Sequence, residues 1–367
     1  MENFTCELFG KLLDSQFGDH ADNYDSFRFG EQATTRGWPW LRGIMGSVAR
    51  RMGFYRRYHL LSKANLTEWC PQLPNLEWMF HHLDDDESRR LLVDVVAYRI
   101  LGHRRVRLPL SNRRYWMQLA ECAALADEQD VIGNRVDGFI LMKHCLRKLG
   151  YPISIYAPKG WPVATYVLGQ YTCKKANIGV KPGDVVIDAG ACWGDTALYF
   201  AHLAAVSGRI YSFEFIAENI EIFKRNIELN PSLSSRIELI TRPLWSSSNV
   251  TITSSGAGPG SRARVADSKN ENTTLSITVD DFVKQRSLSH VDFIKMDIEG
   301  AEFEALRGSK EILRAFKPDL ALCVYHSVDD FSRLARYLDD LKLGYRFYLG
   351  HFTIHTEETV LFVTTRP

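Results

Sequence analysis

Two short segments of the chain carry side chains that could do chemistry. Residues 188–195 (DAGACWGD) join a β-branched apolar run to a helical pattern, and residues 297–302 (DIEGAE) place three carboxylates after another apolar run. Glycine lets the backbone turn tightly and approach a ligand, and a helix N-terminus offers free amide donors. Carboxylates beside such a turn can hold polar ligand groups or accept a proton. Both segments are therefore candidate site loops.

An acid on the second strand-like run identifies the first segment as a candidate adenosine site. Glu214 ends the run RIYSFEF, where an acid can accept the hydroxyls of a ribose. The glycine spacing differs from the dinucleotide pattern, and Asp188 would repel a pyrophosphate but suit a cation. Charge therefore favours S-adenosylmethionine, whose amino and sulfonium groups are cationic, over NAD. A dehydrogenase and a turn without a ligand remain as alternatives.

Two histidines follow later strand-like runs and could join the second segment. Open α/β sheets bind ligands at the carboxyl ends of their strands, so Asp297, Glu299, His326 and His351 are expected to face one crevice. His326 is the first choice of general base, since imidazole titrates near neutral pH; the alternative is a histidine that caps the next helix. Asp297 would orient His326 or act as base itself, and Glu302 would favour a helix N-terminus. These four crevice residues could also ligate a metal, but no spacing is diagnostic and no metal site is predicted.

Strand-like and helical patterns alternate after residue 180, which predicts parallel βαβ units. Residues 345–352 and 359–365 read as two strands with a short loop between them, which predicts a closing antiparallel hairpin. Residues 246–276 are polar and rich in Gly, Ser and Asn, and they predict an exposed excursion with one short hairpin.

The chain changes in texture near residue 165. The earlier part is rich in Arg, Trp and Tyr and predicts helices that end at Gly102, over 116–125 and over 139–149. We therefore predict a mainly helical region at 1–165 and an α/β domain at 166–367.

Composition excludes several classes of protein. Among 367 residues, 45 Lys and Arg balance 44 Asp and Glu, so a nucleic-acid partner is not expected. Seven scattered cysteines without a C-x-x-C pair predict reduced thiols and a cytoplasmic protein. Neither a long apolar run nor a basic, apolar leader occurs, so no membrane span or secretory signal is expected. The oligomeric state is left open, with a homo-oligomer among the alternatives.

The sequence resembles the FkbM family of S-adenosylmethionine-dependent methyltransferases over about 180–367. The string KMDIEGAE carries most of the resemblance, together with IDAGACWGDTALYFA, RIYSFEFIAENIEIFKRNIELNP and ALCVYHSVDDF. The resemblance implies a class I, Rossmann-like methyltransferase fold whose seven-stranded sheet ends in an antiparallel hairpin. It also implies O-methylation of a hydroxyl, often on a sugar of a glycan, lipid or natural product.

The resemblance also implies roles for individual residues. Glu214 would hold the ribose beside Phe215, which stands where the family often has Pro, and Asp297 and Glu299 would line the reaction centre. Cys192 and Trp193 stand where the family commonly has Asn and a small residue. The turn residues that would hold the methionine end of the cofactor are Asp188, Gly190, Ala191, Gly194, Asp195 and Thr196.

We therefore expect an S-adenosylmethionine-dependent O-methyltransferase with a sugar acceptor. The alternatives are a methyltransferase acting on another hydroxyl or an amine, and an inactive module that binds S-adenosylmethionine. The five arginines of residues 103–114 could grip an acceptor phosphate, although a solvated basic loop is favoured. Tryptophans that could stack on a sugar, although buried packing is the default, are Trp38, Trp40, Trp116 and Trp161.

Overall fold

The computed structural model describes residues 3–20, 22–25, 67–136, 139–256, 258–266 and 273–366. Trp38 and Trp40 therefore lie outside the described residues. Within these ranges, no helix has both the length and the apolar character needed to cross a membrane.

The described residues before residue 165 form four α-helices and a small sheet. The helices are α1 (Phe4–Ser15), α2 (Leu73–His82), α3 (Asp86–Leu101) and α4 (Arg113–Ala123). Antiparallel strands β1 (Ala126–Val136), β2 (Phe139–Cys145) and β3 (Ser154–Pro158) follow, with β2 in the middle.

The helix predicted over 139–149 is wrong. Residues 139–145 form strand β2, and a 3₁₀ turn, Leu146–Leu149, follows it. A short apolar run suits a helix or a strand equally, and here strands on both sides supply the hydrogen bonds that decide for the strand. The region is therefore less helical than the sequence predicted.

The central sheet has seven strands, as predicted for a methyltransferase-like α/β fold. Its strands are β4 (Val185–Ala189), β5 (Arg209–Phe213), β6 (Ile237–Ile240), β10 (Phe293–Met296), β11 (Asp319–Cys323), β12 (Arg346–His351) and β13 (Thr359–Thr364). They lie in the order β12-β13-β11-β10-β4-β5-β6. The five strands from β11 to β6 are parallel, whereas β13 pairs antiparallel with both β11 and β12.

Helices connect these strands and cover the sheet. They are α5 (Asp195–Leu203), α6 (Ala217–Glu228), α7 (Pro231–Ser234), α8 (Val279–Gln285), α9 (Glu302–Arg307), α10 (Lys310–Phe316) and α11 (Asp330–Asp340). One core cluster joins α1, α2 and α3 to one face of the sheet, and another joins α5 to the opposite face. The domain boundary at residue 165 stays a prediction.

The polar excursion contains a third sheet. Strand β7 (Thr251–Ser255) pairs antiparallel with β8 (Arg262–Val265) on one side and β9 (Thr273–Leu275) on the other. The sequence predicted one short hairpin, and the structure extends it by a third strand.

The sheet register places the two candidate site loops side by side. Lys295 of β10 lies opposite Asp188 of β4, and Asp188 lies opposite Ser212 of β5. The chain leaves β4 at Gly190 and leaves β10 at Asp297, so both turns lie at the same edge. The approach is close, because a Cβ at Gly190 would lie 1.8 Å from the carbonyl oxygen of Asp297.

We expect Gly190→Ala to destabilise the fold more than Gly344→Ala does. Both glycines have φ of +81°, but a Cβ at Gly344 meets no atom within 4 Å. Each substitution carries about 1–2 kcal/mol of left-handed backbone strain, and only Gly190→Ala adds the clash with the second loop. Urea denaturation of both variants measures the difference, and equal losses of unfolding free energy would contradict it.

Candidate active site

A cavity of about 560 Å³ opens at the carboxyl edge of the sheet. Its walls include the turns after β4, β10 and β11, a segment from Trp161 to Tyr171, and part of the polar excursion. A second space of about 70 Å³ adjoins it. Gly190, Cys192, Asp297 and Glu299 line both, so the two form one continuous candidate site.

A buried ion pair holds the two site loops together from below. Lys295 Nζ lies 3.2 Å from Asp188 Oδ1, and both side chains are at most 1% exposed. The same ammonium group donates to the carbonyl oxygens of Ala189 at 3.1 Å and Gly190 at 2.6 Å. Burial lowers the pKa of Lys295, but Asp188 and Asp297 outweigh it, so the net shift is upward and the lysine stays charged.

Asp188 is enclosed by protein groups, and its Oδ1 has the ion-pair contact with Lys295 but no hydrogen bond to a described residue. Its Oδ2 accepts hydrogen bonds from Thr196 Oγ1 at 2.9 Å and Ser212 Oγ at 3.3 Å. The described residues on the cavity walls include neither Asp188, Ala191 nor Gly194. These three positions shape the turn without reaching the cavity. The geometry therefore does not favour a direct contact between Asp188 and a cationic ligand.

Asp195 and Thr196 begin helix α5 and lie on the wall of the larger cavity. Burial raises the pKa of Asp195 to about 6; the charge of Lys295 opposes this shift, and that of Asp188 adds to it. The Tyr166 hydroxyl donates to the backbone carbonyl of Asp195 at 2.8 Å and fixes the start of the helix. Asp195 thus offers a carboxylate whose charge changes just below neutral pH.

Glu214 and Phe215 line the smaller space, together with apolar residues such as Ile216 and Leu244. The backbone amides of Phe215 and Ile216 each donate to Glu214 Oε1 at 2.8 Å. Burial raises the pKa of Glu214, although these amides and Asn219 oppose the shift. The acid therefore has a fixed orientation directly after β5, and its contact with a ribose stays a prediction.

Asn219 links this acid to the polar excursion. Its Nδ2 donates to Glu214 Oε2 at 3.2 Å, and its Oδ1 accepts from the backbone amide of Gly258 at 2.8 Å. Pro259 and Arg262, which follow Gly258, lie on the larger cavity's wall. The excursion that the sequence left outside the site is therefore part of it.

Two tyrosines hold Asp297 at the end of β10. Tyr325 donates to Oδ1 at 3.0 Å and Tyr171 to Oδ2 at 3.1 Å. Burial raises the pKa of Asp297, but Lys295, His326 and these hydroxyls prevail and lower it. Asp297 is thus an ionised carboxylate. Neither tyrosine could be predicted as its partner from the sequence, because each comes from a distant segment.

His326 lies among three carboxylates. Its Nδ1 is 3.0 Å from Glu302 Oε1, and its Nε2 is 3.4 Å from Asp297 Oδ1 and 3.5 Å from Glu299 Oε1. Burial lowers the pKa of His326, but the carboxylates, led by Glu302, raise it well above the ordinary value. The expectation of a histidine that titrates near neutral pH is therefore wrong, because its surroundings favour the charged ring.

Glu302 begins α9, as predicted, and it also has a role in the site that its spacing does not indicate. Its two oxygens accept from the backbone amides of Ile298 at 2.8 Å and Gly300 at 3.0 Å, and the side chain is fully buried. It fixes the loop that carries Glu299 and also contacts His326, a positioning role that was expected of Asp297. The signal was present as the last acid of the DIEGAE string.

Other predicted residues lie elsewhere. His351 is buried with Nδ1 2.9 Å from Thr359 Oγ1 and is not among the described wall residues. Arg104 and Arg107 pair with Asp19 and Asp22 of the N-terminal segment. The described wall residues of either space include none from 103–114, so this basic segment does not reach the site.

An aromatic wall closes one side of the larger cavity. Phe139 lies 5.4 Å from Trp161 and 6.1 Å from Trp193 between ring centroids, and the two indole rings are 6.1 Å apart. All three line the cavity, whereas Trp116 packs on Tyr115 and is not among its wall residues. Of the predicted tryptophans within the described ranges, Trp161 is thus the one that reaches the site.

Comparison with known proteins gives a matching domain and a fold. Residues 176–347 match the methyltransferase FkbM domain. No curated protein matches the chain. Methyltransferase FkbM from Methylobacillus flagellatus KT aligns with 88% of this chain and 70% of its own, at 15% identity and a TM-score of 0.53. That likeness shows a methyltransferase-like α/β fold.

More distant solved structures share less. Aeropyrum pernix fibrillarin, solved with natively bound S-adenosyl-L-methionine, aligns with 64% of this chain and 99% of its own at 14% identity and a TM-score of 0.36. The O-methyltransferase from Bacillus cereus, in complex with SAH, aligns with 50% of this chain and 74% of its own at 12% identity and a TM-score of 0.31.

We expect Lys295→Met to lower the free energy of unfolding by about 3–5 kcal/mol, because it leaves the buried Asp188 carboxylate without its ion-pair partner. Lys284→Met, an equal change at an exposed position of α8, is the control. Urea denaturation measures both. A loss below about 1 kcal/mol at Lys295 would show that the pair does not hold the two loops.

Proposed function

We propose that this chain, whose residues 176–347 form an FkbM methyltransferase domain, transfers a methyl group to a hydroxyl of a sugar. S-adenosylmethionine is the cofactor of this domain. The observation that carries the proposal is the cluster of Asp297, Glu299 and His326 on the wall of a cavity that continues to the Gly190 turn. The acceptor would be a sugar of a glycan, a glycolipid or a natural product.

The residues of the site fit this cofactor. The smaller space has apolar walls for an adenine, with the fixed carboxylate of Glu214 at its edge for the ribose. Gly190 lets the turn after β4 pack directly against the backbone of Asp297, and Asp195 offers a carboxylate to the ammonium group. When bound, S-adenosylmethionine supplies a methyl group already activated by a positively charged sulfur. The protein's remaining tasks are alignment and proton removal.

We assign the removal of the hydroxyl proton to Glu299. The sequence favours His326 as the general base, but the three carboxylates around it favour its protonated form, which cannot accept the proton. Asp297 already accepts from two tyrosines. Glu299 directs Oε1 toward His326, and its side chain is 20% exposed on the cavity wall, so Oε2 remains for an acceptor hydroxyl. Glu302 and His326 act as positioning residues for this carboxylate.

The aromatic wall supports a sugar as the acceptor. Indole and phenyl faces stack on the apolar faces of sugar rings and leave the hydroxyl groups free to hydrogen-bond. Trp193 Nε1 is a buried donor with no hydrogen-bond partner among the described residues. A sugar hydroxyl would satisfy this donor, whereas a purely apolar acceptor would leave it unpaired.

Acid is expected to weaken the binding of S-adenosylhomocysteine. Because the pKa of Asp195 is about 6, its negative charge is present above that pH and disappears below it, together with its attraction for the ligand's ammonium group. Asp195→Asn should bind about tenfold or more weakly at neutral pH and should not respond to pH in this range.

Calorimetric titration between about pH 5 and pH 7.5 checks this expectation, with exposed Asp340→Asn as the control. If Asp195→Asn keeps the pH dependence of the unchanged protein, another group binds the ammonium.

The proposed reaction is tested by incubating the protein with S-adenosylmethionine and a panel of sugars, glycosides and amines. Mass spectrometry should detect one added methyl group on a sugar hydroxyl. Glu299→Gln should lower kcat by about 100-fold or more while S-adenosylhomocysteine still binds. The control is Glu304→Gln on the outer turn of α9, which is not on either cavity wall.

Methylation of amines alone would show that the acceptor class is wrong. Cofactor binding without turnover on any acceptor would favour an inactive binding module. Full activity of Glu299→Gln would show that another group accepts the hydroxyl proton.

A further inference from the structure

We infer that His326, Asp297 and Glu299 form a binding site for a hard divalent cation of the Mg²⁺ or Mn²⁺ type. Ligand atoms of His326, Asp297 and Glu302 lie within 4.8 Å of one another in the described residues, and Glu299 faces the same imidazole. Carboxylate oxygens, which would supply two of the three ligands, are the donors that such cations prefer. The binding of the ion is independent of the proposed function, whereas its role in methyl transfer rests on it.

The buried imidazole nitrogen is the observation that distinguishes this group from an ordinary acidic cluster. The His326 side chain is 3% exposed. Its Nε2 makes no hydrogen bond to any described residue, and its nearest carboxylate oxygens lie at 3.4 and 3.5 Å. A charged N–H donor pairs with a carboxylate at about 2.7–2.9 Å. Nε2 thus points at two acids without bonding either.

These separations fit neighbouring ligands of one ion. With metal–oxygen distances of about 2.1 Å, adjacent corners of an octahedron lie about 3 Å apart. An ion held by His326 Nε2, Asp297 Oδ1 and Glu299 Oε1 would keep further positions for water or an acceptor hydroxyl. It would also leave Glu299 Oε2 for the proton.

The groups around the three ligands are arranged as supporting residues of metal sites are. Glu302 Oε1 lies 3.0 Å from His326 Nδ1, an ion-pair contact without a hydrogen bond, while Nε2 is the ring nitrogen next to the other two acids. Metal-ligating histidines commonly have a carboxylate beside their other ring nitrogen. Tyr171 and Tyr325 donate to Asp297 and fix its orientation. The ion would take the place of the Nε2 proton as the positive charge among these acids.

The test is titration of EDTA-treated protein with Mn²⁺, followed by the electron paramagnetic resonance of the free ion. We expect one site per chain, displaced by excess Mg²⁺. His326→Gln and Asp297→Asn should each weaken binding at least about tenfold, and Glu302→Gln should weaken it while leaving every ligand atom in place. Circular dichroism confirms that each variant is folded.

His290→Gln is the matched control. His290 Nε2 also lies 3.5 Å from a carboxylate, that of Asp292, but its side chain is 52% exposed. We expect this variant to bind Mn²⁺ as the unchanged protein does. Equal Mn²⁺ binding by His326→Gln, or no site in the unchanged protein, would overturn the inference.

A parallel titration with S-adenosylhomocysteine separates this inference from the proposed function. If S-adenosylhomocysteine binds and methyl transfer proceeds in EDTA without any Mn²⁺ site, the metal inference fails and the methyltransferase proposal stands. If Mn²⁺ binds at His326 but no acceptor is methylated, the ion site stands and the proposed reaction fails.

Discussion

The ion pair of Lys295 and Asp188 is the interaction on which the site depends. Burying two charges at the centre of a sheet is costly unless further polar contacts complete the arrangement. Here the hydroxyl groups of Thr196 and Ser212 donate hydrogen bonds to the carboxylate, and the carbonyl oxygen of Gly190 accepts one from the ammonium group. The pair therefore joins β4, β5, β10 and α5 at the point where both site loops begin. The lysine also lowers the pKa of Asp297, two residues further along.

A second chain of contacts extends the site outward. Glu214 is fixed by the amides that follow it, and Asn219 connects it to Gly258. The polar excursion thereby gains a fixed attachment beside the smaller space, and Arg262 reaches the larger one. The space expected to hold a ribose and the polar excursion thus share one side-chain amide, so a ligand that moves Glu214 would also move the excursion.

Local signals in the sequence predicted the strand-turn-helix units and the acids at their ends. The positions of Gly190, Glu214 and Asp297 could be predicted because strand ends and tight turns have sequence signals within a few residues. Strand β2 could not be predicted, since its secondary structure depends on hydrogen bonds to neighbouring strands. The tyrosines that hold Asp297 come from segments far from it in sequence, and Lys295 lies inside an apolar strand where no spacing marks it. The role of Glu302 depends on a loop that folds back on itself, which no periodicity shows.

Charge balance connects the cluster to the chemistry proposed for it. Four acids, Asp188, Asp297, Glu299 and Glu302, lie within contact distance of two cations, Lys295 and His326. With all four acids ionised, the group carries an excess of negative charge, and burial makes that excess costly. A cationic cofactor would reduce the excess, and so would a divalent ion. In the proposed reaction the positive charge on sulfur would be lost while the hydroxyl proton passed to Glu299. The total charge of the buried site would then be the same before and after the reaction, so a low-dielectric site would bear no cost from a change in net charge.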